Sequence, residues 1–236
     1  LAYFVIEIKI SRTFDFIILQ TSTDIKRYPK ILNKAKLLQI HNEYDIPENV
    51  RTNDIVNKKN KFIYVASFEG GYLDIALWFF VNVWKPFLKI NPVAKISVLG
   101  KGSIELKLLL AEKKISADSI IPYGYVDDLG IFYRNSIASI APIFKGYGLI
   151  NKVVEAMANG CVVLGDKHAF NGISGIKTMQ NCIIADSADL MVKKLTFISQ
   201  NIEQSIAIGL NGYSLVKHNF SRNSQLFILE KYLVLK

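Results

Sequence analysis

Three neighbouring polar side chains, those of Asn151, Lys152 and Glu155, could together bind a phosphate and a sugar hydroxyl. The amide and ammonium groups donate hydrogen bonds, which suits an anion, whereas the carboxylate accepts hydrogen bonds from hydroxyls. Spacings of three and four residues place the three side chains on one side of a helix. The set therefore predicts recognition of a nucleotide diphosphate through its phosphates and its ribose.

The backbone in front of these residues favours the same interpretation. Lys145 is followed by Gly146-Tyr147-Gly148, and Lys152 then falls in the first turn of the predicted helix. Backbone N–H groups at a helix N-terminus bind anions, and a cation is disfavoured there unless an anion accompanies it. The alternative is purely structural, because Lys152 and Glu155 could form an ordinary ion pair on a solvated helix face behind a glycine turn.

A strand–loop–helix–strand unit positions this set. Residues 137–141 form an apolar run that predicts a buried strand, and apolar residues recur at helical spacing over residues 149–159. Gly160 stands where a helix C-terminus favours a positive φ, and residues 161–164 predict the next buried strand. This is a βαβ unit, so we expect an α/β fold with a Rossmann-like parallel sheet and helices on both faces.

The stretch at residues 146–166, GYGLINKVVEAMANGCVVLGD, resembles the donor-site signature of the group-1 glycosyltransferases, a retaining family of the GT-B fold that uses nucleotide sugars. Glu155 corresponds to the family glutamate that holds the ribose hydroxyls. The resemblance implies catalytic roles for Lys152 and Glu155. This chain departs from the family at one position. The family often has a second glutamate eight residues before the first, and the corresponding residue here is Tyr147, or Lys145 if the glycines are aligned instead.

The resemblance also implies a donor site built from several loops. Gly100 and Lys101 match a family Gly-x-Gly turn after a predicted strand, and Tyr125 and Val126 match a turn beside the nucleotide base. The residues implied in donor binding are Gly100, Lys101, Tyr125, Val126, Gly146, Tyr147, Gly148, Leu149, Ile150, Asn151, Lys152 and Glu155.

The same resemblance divides the chain into three parts. Residues 1–46 match the end of the N-terminal, acceptor-side domain and the crossover, residues 47–60 form a polar linker, and residues 61–236 form the donor-binding domain. We therefore expect the chain to be a piece of a longer protein that holds the donor site and little of the acceptor site.

Composition restricts the partners. With 29 basic and 20 acidic residues the net charge is +9, which suits phosphorylated substrates or an anionic membrane surface. Nucleic acid is not expected, because the chain has no arginine-rich tract and no aromatic–basic motif. No metal site is expected either, since the three histidines and two cysteines lack ligand spacing.

We predict a metal-independent glycosyltransferase that needs no cofactor, binds a nucleotide-diphosphate sugar as donor substrate, and transfers the sugar with retention to a glycan or lipid-linked acceptor. The expected setting is bacterial cell-envelope polysaccharide synthesis, in the cytoplasm or at the inner face of the membrane. Two alternatives stay open: a non-catalytic or truncated GT-B module, and a nucleotide-sugar epimerase, which would need acid–base side chains in its cleft.

Overall fold

A six-stranded parallel sheet organises the chain in a computed structural model that describes residues 14, 16–27, 37–42, 44, 46–50, 58–145 and 148–233. A separate parallel pair, β1 (Ile17–Leu19) and β2 (Leu37–Gln39), precedes it. The six strands are β3 (Lys61–Val65), β4 (Lys95–Leu99), β5 (Ile120–Gly124), β6 (Ala138–Ala141), β7 (Val162–Gly165) and β8 (Ile183–Ile184). They are arranged in the order β5-β4-β3-β6-β7-β8 with every pair parallel, which confirms the predicted Rossmann-like α/β fold.

Helices connect the strands and cover both faces of the sheet. They are α1 (Ser22–Arg27), α2 (Gly70–Phe79), α3 (Lys85–Ile90), α4 (Ser103–Glu112), α5 (Gly130–Arg134), α6 (Asn151–Ala158), α7 (Ala188–Gln200), α8 (Ile202–Phe220) and α9 (Arg222–Leu233). Among the described residues, none of these helices combines the length and the apolar character needed to cross a membrane.

Strand side chains alternate between two cores, one on each face of the sheet. In β3, Phe62 and Tyr64 belong to the core formed with α2, α3 and α7, whereas Ile63 belongs to the core formed with α6 and α8. All three side chains are buried. Because successive residues of a strand point to opposite faces, a parallel sheet covered on both sides needs apolar residues at both. This explains the continuous apolar runs in the sequence.

The helix after β3 is interrupted in a way that apolar spacing does not predict. That spacing predicts one helix over residues 73–88, but a π-helical turn (Phe80–Trp84) separates α2 from α3. Pro86, in the first turn of α3, has no N–H to continue the α-helical hydrogen bonds. The amide of Asn82 donates to the Trp78 carbonyl at 2.9 Å, so a side chain satisfies a carbonyl at the interruption.

The segment that follows β2 is hydrogen-bonded to helix α8. The hydroxyl of Tyr213 donates to the carbonyl oxygens of Pro47 at 2.7 Å and Glu48 at 2.8 Å, and the ammonium of Lys217 donates to the Glu48 carbonyl at 2.8 Å. Residues 51–57 of the predicted linker lie outside the described residues, and the proposed division into domains stays a prediction.

Helix α8 also packs closely on the end of the βαβ unit. A Cβ atom added to Gly209 would lie 2.4 Å from the Gly160 carbonyl oxygen and 3.2 Å from the Val162 nitrogen. Both neighbours are backbone atoms, which cannot move aside without shifting β7 or the end of α6. Glycine therefore sets the distance between α8 and this unit.

We expect Gly209→Ala to lower the free energy of unfolding by roughly 1–3 kcal/mol, the usual cost of overpacking. Urea denaturation measures the change. Gly71→Ala is the matched control, because a Cβ there meets no atom within 4 Å, and its stability should not fall. Equal stability of the Gly209→Ala and wild-type proteins would contradict the close packing.

Candidate functional site: the start of α6

Helix α6 begins at Asn151, two residues later than the apolar pattern predicts, because Ile150 is extended with φ −96° and ψ 98°. The first backbone N–H groups of the helix therefore belong to Asn151 and the residues after it. Gly148 has φ +84°, and a Cβ there would meet no atom within 4 Å, so open space adjoins the helix start. The predicted phosphate contacts of Gly146 and Tyr147 lie outside the described residues.

Lys152 is the cation of this site, with a half-buried side chain whose ammonium is largely shielded from solvent. Its ammonium lies 5.7 Å from the centre of the Tyr64 ring, and burial lowers its pKa to about 8. Among the described residues it forms no ion pair, and the carboxylate of Glu155 is not its partner. The interpretation of Lys152 and Glu155 as an ordinary ion pair on a solvated helix face is therefore wrong. A protonated lysine here has a weak cation–π contact and the unfavourable end of a helix dipole.

A cavity of about 330 Å³ lies beside the Lys152 ammonium. The loop after β6 and the start of α6 form one side of it, and the loop after β3 forms the other. Its described lining comprises Ala66, Ser67, Tyr72, Ile143, Lys145, Leu149, Ile150, Asn151 and Lys152. The structure therefore brings together four of the predicted donor-binding residues, and it adds Lys145 as a second cation.

A second cavity, of about 470 Å³, contains Glu155. Burial raises the pKa of the Glu155 carboxyl. One wall comes from residues 127–130, which follow β5, and another from the segment after β2. Asn151 borders both cavities, which places it between the cation of Lys152 and the carboxylate of Glu155. The three predicted side chains thus line two cavities that share Asn151 as a common lining residue.

Tyr44 is a residue of this site that sequence patterns do not indicate. Its hydroxyl donates to the side-chain oxygen of Asn151 at 2.7 Å, across 107 positions of the chain. Burial, and then the charge of Glu155, raise the pKa of Tyr44 to about 12, so the hydroxyl keeps its proton. Because the Asn151 oxygen is occupied, its NH₂ group is the part of the amide left to donate to a ligand.

The structure explains Gly100 without a ligand. Its φ is +123°, and a Cβ atom would lie 1.9 Å from the Ala66 carbonyl oxygen. The neighbouring Lys101 side chain is 74 % exposed and pairs with Glu69 at 3.0 Å. Neither residue is part of the described lining of the two cavities. The backbone of the loop after β3 thus packs directly against Gly100, and the donor contacts expected of Gly100 and Lys101 stay predictions.

The turn after β5 reaches the site through residues later than those predicted. Tyr125 is 80 % exposed, and Val126 packs on the core around α6. Residues 127–130 line the Glu155 cavity instead. Asp128 accepts a hydrogen bond from the Gly130 N–H at 2.8 Å at the start of α5, and the described residues contain no cluster of His, Cys, Asp or Glu that could hold a metal ion. Asp127 and Asp128 thus lie just before the start of α5, where acidic side chains suit the helix dipole.

Several solved glycosyltransferase structures share this fold. S. aureus TarM is 17 % identical with a TM-score of 0.72, over 95 % of this chain and 44 % of TarM. The pneumococcal O-GlcNAc transferase GtfA, in complex with UDP and GlcNAc, is 16 % identical with a TM-score of 0.71, over 100 % of this chain and 47 % of GtfA. Anabaena HepE in complex with UDP is 13 % identical with a TM-score of 0.69, over 94 % of this chain and 64 % of HepE. The chain thus spans less than two thirds of each of these proteins.

Sequence comparison assigns the family. No curated protein matches the chain. The family described as "Glycosyl transferases group 1" matches residues 59–201, more than half of the chain, including all six strands of the large sheet and all of α6. The resemblance seen in the glycine loop and helix is therefore confirmed, and the chain belongs to the group 1 glycosyl transferases.

Proposed function

We propose that this chain binds the nucleotide-sugar donor of a retaining glycosyltransferase, with the diphosphate at the start of α6. The observation that supports this most strongly is Lys152, a buried ammonium at a helix N-terminus without an acidic partner among the described residues. A buried charge is costly unless it is compensated. A bound diphosphate would compensate both the ammonium and the helix dipole.

The two cavities suggest how the donor lies. The phosphates would occupy the smaller cavity, between Lys152 and Lys145, and the ribose would occupy the larger cavity, where Glu155 can accept its hydroxyl hydrogen bonds. Asn151 stands between them, at the bond from ribose to phosphate. The base would then lie along residues 127–130.

This arrangement would favour departure of the nucleotide diphosphate. As the bond between the anomeric carbon and the phosphate oxygen breaks, negative charge grows on the leaving oxygen. The Lys152 ammonium and the N–H groups at the start of α6 would stabilise that charge, which is electrostatic catalysis by groups already in place. In this proposal neither a metal ion nor a cofactor is required, and the sugar passes to a glycan or lipid-linked acceptor with retention.

A uridine diphosphate sugar is the donor to test first. GtfA is complexed with UDP and GlcNAc, and HepE with UDP and with UDP-glucose.

The chain spans less than two thirds of these proteins, so a non-catalytic donor-binding module is the second candidate. The net charge of +9 supports a peripheral contact of the protein with an anionic membrane.

We expect UDP to raise the melting temperature of the wild-type protein, and Glu155→Ala to abolish most of the shift. Binding at a hundredfold excess over Kd adds about 2.7 kcal/mol of stability. The screen should compare UDP, GDP, ADP and their sugars, with Glu203→Ala, an exposed carboxylate on α8, as control. A folded Glu155→Ala protein with undiminished affinity would remove Glu155 from the site, and no shift with any nucleotide would contradict donor binding.

We expect the affinity for UDP to fall above pH 8. The Lys152 ammonium is charged below its pKa of about 8 and loses its charge as the pH rises through that value. Single-proton linkage then weakens binding by up to about tenfold per pH unit. Titration calorimetry between pH 7 and 9.5 measures this. Lys152→Arg, whose pKa exceeds about 12, should bind with little pH dependence, whereas exposed Lys89→Ala should behave as wild type.

We expect Tyr44→Phe to weaken UDP binding about fivefold, the value of one hydrogen bond of roughly 1 kcal/mol. The loss should arise through Asn151, so in Tyr44→Phe/Asn151→Ala the combined loss should be smaller than the sum of the single losses. Tyr123→Phe is the control, because that ring packs on Phe132 and is not part of the described lining of either cavity. Additive losses would show that Tyr44 and Asn151 act separately.

A further inference from the structure

Asp166, directly after β7, is a buried carboxylate to which donor binding assigns no role. It is 2 % exposed. One oxygen accepts hydrogen bonds from the Ile143 N–H at 2.6 Å and the Phe144 N–H at 3.2 Å, and the other accepts from the His168 N–H at 3.0 Å. Among the described residues no basic side chain pairs with it. Its charge is thus held by three backbone N–H groups, two of them in the loop after β6.

That loop contains a strained turn. The Lys145 N–H donates to the Ile143 carbonyl at 2.6 Å, which closes a three-residue turn around Phe144 with φ +55°. A non-glycine residue in this region is strained and persists only where its surroundings hold it. The Phe144 ring packs edge-on against Trp78, with 4.5 Å between ring centres. The carboxylate of Asp166 holds the backbone of the turn, and Trp78 holds its side chain.

The turn stands directly beside the proposed phosphate cavity, because Ile143 and Lys145 both line it. We propose that Asp166 is the positioning residue of the phosphate-binding loop, a role that rests on the proposed function. By accepting the N–H groups of Ile143 and Phe144, it sets the direction in which the chain leaves β6. That direction places Lys145 against the donor phosphates.

Asp166→Asn tests this, because it keeps the size of the side chain and removes its charge and one acceptor. Hydrogen exchange of residues 142–150 and calorimetric titration with UDP are measured at a temperature where the variant is folded. We expect faster exchange confined to this segment, and a Kd for UDP at least about tenfold higher, as for loss of hydrogen bonds to a charged group. Asp186→Asn is the control, since Asp186 accepts from the Lys167 N–H at 2.8 Å and not from the loop.

A second substitution distinguishes positioning from general stability. Glycine adopts a positive φ without strain, so Phe144→Gly should relieve part of the need for Asp166. The loss of UDP affinity in Asp166→Asn/Phe144→Gly should then be smaller than the sum of the two single losses. Additive losses would indicate that Asp166 does not act through this turn.

Other outcomes would overturn either the positioning role of Asp166 or the proposed function. Unchanged exchange in Asp166→Asn, or faster exchange with an unchanged Kd, would overturn the positioning role. If Asp166→Asn does not fold, Asp166→Glu replaces it with the same expected and contradictory results, because the longer side chain keeps the charge and moves the carboxylate away from the Ile143 and Phe144 N–H groups. Failure of the wild-type protein to bind UDP, GDP or ADP would instead overturn the proposed function, and the exchange measurement would still test the turn.

Discussion

The carboxyl ends of the parallel strands impose the main constraint on this molecule. Because the strands are parallel, the loops that leave β3, β4, β6 and β7 all lie at the same end of the sheet, which is where ligands of such sheets bind. These loops are so close that Gly100 has no room for a Cβ beside the Ala66 carbonyl. The smaller cavity is the space that remains between the loops after β3 and β6, whereas the larger one lies between α6, the turn after β5 and the segment after β2.

Two buried charges at this edge are compensated to different degrees. The Asp166 carboxylate accepts three backbone hydrogen bonds, so it is satisfied by the protein itself. The Lys152 ammonium lies against the Tyr64 ring and forms no ion pair among the described residues. A satisfied charge fixes structure, whereas an incompletely satisfied one favours an added partner of opposite sign. This contrast is the physical basis for the different roles that we propose for Asp166 and Lys152.

Local patterns in the sequence were sufficient for the sheet and for the βαβ unit that positions Lys152 and Glu155, because their spacing follows the helix and strand repeats, whereas the roles of these two side chains stay predictions. They were insufficient for Tyr44, whose hydrogen bond to Asn151 joins residues far apart in the chain. The glycines of the loop after β4 show a pattern with two explanations. A Gly-x-Gly pattern is compatible with a ligand or with another backbone, and in this fold the backbone of the neighbouring loop occupies the space. The π-helical turn before Pro86 likewise has no signature in apolar spacing.

The attachment of the segment after β2 has a mechanical consequence. Tyr44 is bonded to the first residue of α6, and the carbonyl oxygens of Pro47 and Glu48 are bonded to α8. This segment therefore forms one wall of the larger cavity and is hydrogen-bonded to both α6 and α8. The attachment continues back to the end of β2, because the His41 N–H donates to the side-chain oxygen of Gln225 in α9 at 2.9 Å, so a displacement of the β1–β2 pair would have to break this hydrogen bond as well.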